Sequence, residues 1–99
     1  MAYYVKQNKL RFKSKDVVAT QGAIALLQLQ NKPTLGEELI FRHFSGDWGD
    51  VCEEDRKVNE DGIDNNQRLM SVYHVGGEKI WLITEWDRSV TTILLPDEY

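Results

Sequence analysis

The spacing of apolar positions changes along this chain, from threes and fours in the middle to twos near the end. From Arg68 onward, Leu69, Ser71, Tyr73 and Val75 alternate with Met70, Val72 and His74. Gly76-Gly77 can then turn the chain back, and Lys79 to Glu85 returns as a strand that is apolar on both faces. After the connector Trp86-Asp-Arg-Ser89, the β-branched run Val90 to Leu95 reads as a third strand stopped by Pro96. Upstream the period is helical. Thr20 is placed to cap a helix from Gln21 to about Gln30, with Ile24, Leu27 and either Ala23 or Leu26 as its buried stripe. Thr34-Leu-Gly-Glu37 reads as a capping box opening a second helix to about Phe44, with Leu39, Ile40 and Phe44 on its apolar face and His43 at the border. Asp50 looks like the cap of a third, weakly amphipathic helix that makes contact through Val51, Cys52 and Val58 and ends around Gly62 and Asp64-Asn-Asn66. In residues 9–15 cations alternate with Leu10 and Phe12, the pattern of a strand with those two side chains inward and a row of cations outward, as an edge strand carries.

These elements predict an α+β fold in which two or three N-terminal helices pack on a C-terminal antiparallel sheet. The sheet has three strands, or four if the N-terminal strand joins it as an edge. Ninety-nine residues make one domain with one core, divided into a basic strand or arm (1–15), a helical part (16–66) and the sheet (68–95). The longest apolar stretch, Ala23 to Leu27, is far below the roughly 20 residues that span a bilayer. The first residues also lack a basic region leading into an apolar segment, so a cytoplasmic protein is expected.

Charge adds a second division. Five of the 12 basic residues, Lys6, Lys9, Arg11, Lys13 and Lys15, precede the first acid, Asp16. Between Asp47 and Asp64, eight acids stand against Arg56 and Lys57 alone. One basic and one acidic region result, and either can face a partner. Lys9, Arg11, Lys13 and Lys15 are the candidates for contacting nucleic-acid phosphates.

The densest polar group is Thr84-Glu85-x-Asp87-Arg88-Ser89-x-Thr91-Thr92, where acids, an arginine and hydroxyls crowd one hairpin end. Beside His43 it has the parts of a metal-independent RNA-cleaving site, with His43 as base, Arg88 as phosphate clamp and Thr91 stabilising the transition state. The structural alternative gives Asp87 and Ser89 to a turn and uses Arg88 to bridge Glu85 or the acidic helix. Of the three tryptophans, Trp81 reads as core, Trp48 as an anchor of the Gly46-Asp-Trp-Gly49 loop, and Trp86 as an exposed contact. Candidate protein-binding positions are therefore Asp47, Trp48, Glu85, Trp86, Asp87 and Arg88. Cys52 is the single cysteine and precedes Glu53-Glu54-Asp55, which disfavours a thiolate, and Glu54 with Asp61 is a thin basis for magnesium. No phosphate loop, dinucleotide fingerprint, HExxH or GxSxG motif is present, so no metal or cofactor is expected.

The stretch Arg42-His-x-Ser-Gly-Asp-Trp-Gly-Asp50, then Glu54-Asp55, Asn59, Arg68-Leu-x-Ser-x-Tyr73 and Trp81-x-Ile-Thr-Glu-x-Asp-Arg-Ser-x-Thr-Thr-x-Leu-Leu-Pro-x-Glu-Tyr99, resembles a family of small bacterial proteins carried by plasmids, phages and integrated elements. They are labelled "plasmid related" or, loosely, type I restriction subunit M. The resemblance runs from Val17 onward. A methyltransferase role does not fit, because the Asn/Asp-Pro-Pro-aromatic motif is missing and Pro33 and Pro96 are the only prolines. The resemblance implies a non-enzymatic accessory protein of a mobile element that meets another protein, with host defence as the setting. Position 86 is usually small in such proteins, which makes Trp86 a departure.

Overall fold

The computed structural model describes residues 10–99. The fold is α+β. Strand β1 (Asp16–Ala19) leads into helices α1 (Gln21–Leu29), α2 (Leu35–Phe44) and α3 (Glu53–Asp64), followed by strands β2 (Leu69–Val75), β3 (Glu78–Thr84) and β4 (Val90–Leu94) and a 3-10 turn at Pro96–Glu98. The sheet order is β1-β4-β3-β2, with β4-β3-β2 antiparallel and β1 added parallel beside β4.

The expected N-terminal strand is displaced. Lys9 lies outside the described residues, and residues 10–15 are irregular. Arg11 N and Phe12 N both donate to Phe44 O, at 2.8 and 3.3 Å, an arrangement no strand ladder provides. Phe12 turns inward as the alternation implied, but Leu10 is 47% exposed. The strand is the next segment, where Asp16 N donates to Ser89 O and Thr20 N to Ile93 O, each at 3.0 Å.

The core lies on one face of the sheet, where Tyr73, Val75, Ile80, Leu82 and Ile93 meet Ala23 and Leu26 of α1 and Leu39 of α2. Thr20 caps α1 by accepting from Ala23 N at 3.2 Å. The buried stripe is Ala23 and Leu26, with Leu27 half-buried. Ile24 is exposed, and the first turn is docked by Glu98, which accepts from Thr20 Oγ1 (2.5 Å) and Gly22 N (3.1 Å). The capping box at Thr34 does not form. Its hydroxyl donates instead to Glu38 Oε2 at 3.0 Å. On the opposite face, Tyr99 packs edge-on against Trp81 with ring centroids 5.7 Å apart, and the Arg68 guanidinium lies over the Tyr99 ring.

Helix α3 begins at the N-cap Cys52 rather than Asp50, whose carboxylate meets His74 Nε2 at 2.9 Å. Val58 and Cys52 are exposed, and the buried residues of α3 are Asn59 and Gly62. Asn59 explains where α3 sits. Its side-chain amide donates to Met70 O (2.8 Å) and accepts from Met70 N (3.1 Å), as a neighbouring strand would. Beside it, Val72 N donates to Trp48 O and Asp50 N to Val72 O, so Gly49 forms a one-residue parallel bridge with Val72. The outer edge of β2 is thereby closed to a further strand over Met70 and Val72.

Candidate functional site

The three residues of the RNA-cleavage reading do come together, but in a closed interior. His43 was expected at the border of its helix face and is instead completely buried. Strand alternation explains this. Ser71 shares the inward face of β2 with Leu69 and Tyr73, Thr84 shares that of β3 with Ile80 and Leu82, and Thr91 shares that of β4 with Ile93. Three inward hydroxyls need a polar partner, and α2 supplies one imidazole. His43 Nδ1 meets Ser71 Oγ at 2.5 Å and Nε2 meets Thr84 Oγ1 at 2.8 Å. The chain continues from Thr84 Oγ1 to Thr91 Oγ1 (2.7 Å), to Ser14 Oγ (2.7 Å) and to the carbonyl of Asp16 (2.8 Å).

The terminal carbonyl sets the direction of every bond, because a carbonyl only accepts and each hydroxyl has one proton. Ser14 donates to Asp16 O. Thr91 must then donate to Ser14, Thr84 to Thr91, and His43 Nε2–H to Thr84, leaving Nδ1 to accept from Ser71. His43 is thus the neutral Nε2–H tautomer. Burial, reinforced by the charge of Arg88, lowers its pKa to about 3. Nitrogen-15 spectra of the imidazole should show a protonated Nε2 and a bare Nδ1 from neutral pH down to about pH 5. A proton on Nδ1 would contradict this direction.

Arg88 is not a free anion clamp. Its Nη1 donates to the carbonyls of Gln67 (2.7 Å), Glu85 (3.1 Å) and Trp86 (3.2 Å), and its Nη2 to those of Gly62 (2.9 Å) and Ile63 (3.4 Å). It ties the turn before β4 to the C-terminal end of α3, whose carbonyls lack helical partners. It does so from a left-handed backbone, φ 60°. The Phe12 ring packs edge-on to His43, with centroids 5.1 Å apart, and lies 5.8 Å from the Arg88 guanidinium carbon. With Thr91 and His43 buried and Arg88 engaged, a phosphodiester has no approach to this trio.

The protein-binding candidates divide between two places. Trp48 is buried, stacked on Phe12 at 5.8 Å and donating from Nε1 to Glu60 Oε2 at 2.9 Å, which removes it as a contact. Asp47 is exposed and held by Arg42 Nε at 2.7 Å. That loop lies against Val72 and Tyr73, whereas residues 85–88 lie by the Leu69 end of β2, opposite Thr84. Glu85 is half-buried and 3.7 Å from Arg68 Nε. Asp87 is exposed, and its carboxyl, bonded by Ser89, is held below the usual range. Trp86 is 63% exposed.

Of the cationic candidates, Lys13 and Lys15 are exposed, while Arg11 is bidentate on Glu60 at 3.0 and 2.7 Å. Arg11 and Trp48 together hold the Glu60 carboxyl down at about 2. Nothing in the local sequence reveals the Arg11–Glu60 pair, whose partners are 49 residues apart. Among the described residues no three His, Cys, Asp or Glu side chains converge to hold a metal ion, and no helix is long and apolar enough to cross a membrane. No family model, curated protein or solved structure matches the chain.

Proposed function

We propose that this chain is a small non-enzymatic accessory protein of a bacterial mobile genetic element, acting in the cytoplasm by binding another protein, with host defence complexes as the partner class. The observation that carries the binding reading is Trp86, an indole 63% exposed on a turn whose backbone is already fixed. Arg88 Nη1 donates to the carbonyls of Glu85 and Trp86, Arg88 N donates to Glu85 O at 2.9 Å, and Asp87 Oδ1 accepts from Ser89 N at 3.1 Å. An aromatic side chain on a preorganised turn loses little backbone freedom on docking, and tryptophan is among the residues enriched at the strongest contacts of protein interfaces. The sequence resemblance supports the mobile-element setting, and the occupation of the Arg88 guanidinium by backbone carbonyls supports the non-enzymatic reading.

The experiment is capture of a saturable partner from host extract, followed by titration with that partner purified. The Trp86→Ala, Asp87→Ala double variant should keep the wild-type circular dichroism and bind at least about thirtyfold more weakly. Equal binding by the double variant, or no saturable partner, counts against the proposal.

A further inference from the structure

Residues 10–15 cross the helix-bearing side of the molecule as a strap with no ladder of their own. Among the described residues their backbone is held at two points, where Arg11 N and Phe12 N share Phe44 O and Lys15 N reaches Arg88 O at 3.0 Å. The other attachments are side chains. Arg11 pairs with Glu60, whose side chain is 32% exposed, Phe12 packs on His43, Phe44 and Trp48, and Ser14 closes the hydroxyl chain on Thr91.

We propose that this strap is a detachable cover over the His43 cluster, swinging away while α2 and the sheet stay folded and exposing the His43 imidazole with the hydroxyls of Thr84 and Thr91. Segments with few backbone bonds and solvent-accessible ties open below the free energy of global unfolding. The parts left behind keep their order. Glu60 retains the Trp48 Nε1 bond when Arg11 leaves, and His43 keeps Ser71 and Thr84. The hydroxyl of Thr91, relieved of Ser14, meets water, so opening strands no polar group. The inference does not rest on the Trp86 reading, although the strap reaches Arg88, which fixes the Trp86 turn, through Lys15 N and the Phe12 ring.

Diethyl pyrocarbonate labelling of the two histidines tests it, with exposed His74 as the internal standard. The proposal expects slow labelling of His43 that accelerates about tenfold in Phe12→Ala, the change expected from losing roughly half of a buried phenyl's transfer free energy. Arg11→Ala, a milder change, should accelerate it severalfold. The decisive control is Gly77→Ala in the distant hairpin, where a new Cβ meets nothing within 4 Å. It lowers global stability and should leave His43 labelling unchanged. If Gly77→Ala accelerates His43 labelling severalfold, as its loss of about 1 kcal/mol requires of any route through global unfolding, the strap is no cover. Failure to label His43 in every variant, while His74 reacts, overturns the proposal equally.

Discussion

Gly49→Ala is expected to destabilise the domain by at least about 3 kcal/mol, lowering the melting temperature by more than about 12 °C. Two effects combine. Gly49 has φ 74°, a left-handed backbone that costs an alanine about 1 kcal/mol. A Cβ there would also stand 2.0 Å from the carbonyl oxygen of Val72 and 2.6 Å from the Tyr73 ring. The obstruction is backbone, so no rotamer change relieves it, and the loop has to leave β2. Its departure breaks Val72 N to Trp48 O (3.0 Å) and Asp50 N to Val72 O (2.7 Å) and pulls on the Trp48 ring packed against His43. Gly77→Ala isolates the first effect, since φ is 83° there with open space around it, and should cost only about 1 kcal/mol. Urea titrations of the two variants make the comparison. Equal losses would mean that the approach of Gly49 to β2 contributes nothing.

The contrast between these glycines shows what could be read from the chain. Gly76-Gly77 announces itself, because two residues between alternating strands make a hairpin whatever else the fold does, and β2, β3 and β4 follow at the expected positions. The Thr20 cap and the end of α2 at Phe44 are equally local, and they hold. Gly49 and Asn59 work across space, closing the edge of a strand that had not yet been made when the sequence passes them, so no local pattern marks them. The inward turn of Ser71, Thr84 and Thr91 was legible in the strand alternation. Reading it required counting hydroxyls on the core face and asking what satisfies them, which would have placed His43 inside instead of at the border. Arg88 is the opposite case. Its neighbourhood of acids and hydroxyls reads as a site, but the backbone carbonyls that occupy its guanidinium leave no trace in residue types.

Acidification from pH 6.5 to 4.5 is expected to remove roughly 2–3 kcal/mol of stability, mostly above the range in which the carboxylates titrate, and His43 is the main cause. Its pKa is about 3 in the folded protein against 6.5 for the free side chain, so between these values the unfolded chain binds a proton that the native state refuses. The contribution is fully present above pH 6.5 and falls by up to about 1.4 kcal/mol per pH unit until pH approaches 3. Glu60 acts in a lower window. Its carboxyl is held at about 2 against 4.5, so the stability it adds is present above 4.5 and is lost as pH drops through 2. The two windows meet near pH 4.5, which leaves the higher one to His43. In His43→Gln the amide can still bond one hydroxyl, but the ring contacts with Phe12 and Trp48 are gone, and the expected loss at pH 7 is about 2–4 kcal/mol. That variant has no imidazole to charge, so its stability should stay nearly flat between pH 6.5 and 4.5 where the wild type slopes. Urea unfolding at half-unit pH steps measures both curves. A wild-type curve flat over that interval would mean that folding does not lower the His43 pKa, and the neutral, closed cluster would be wrong.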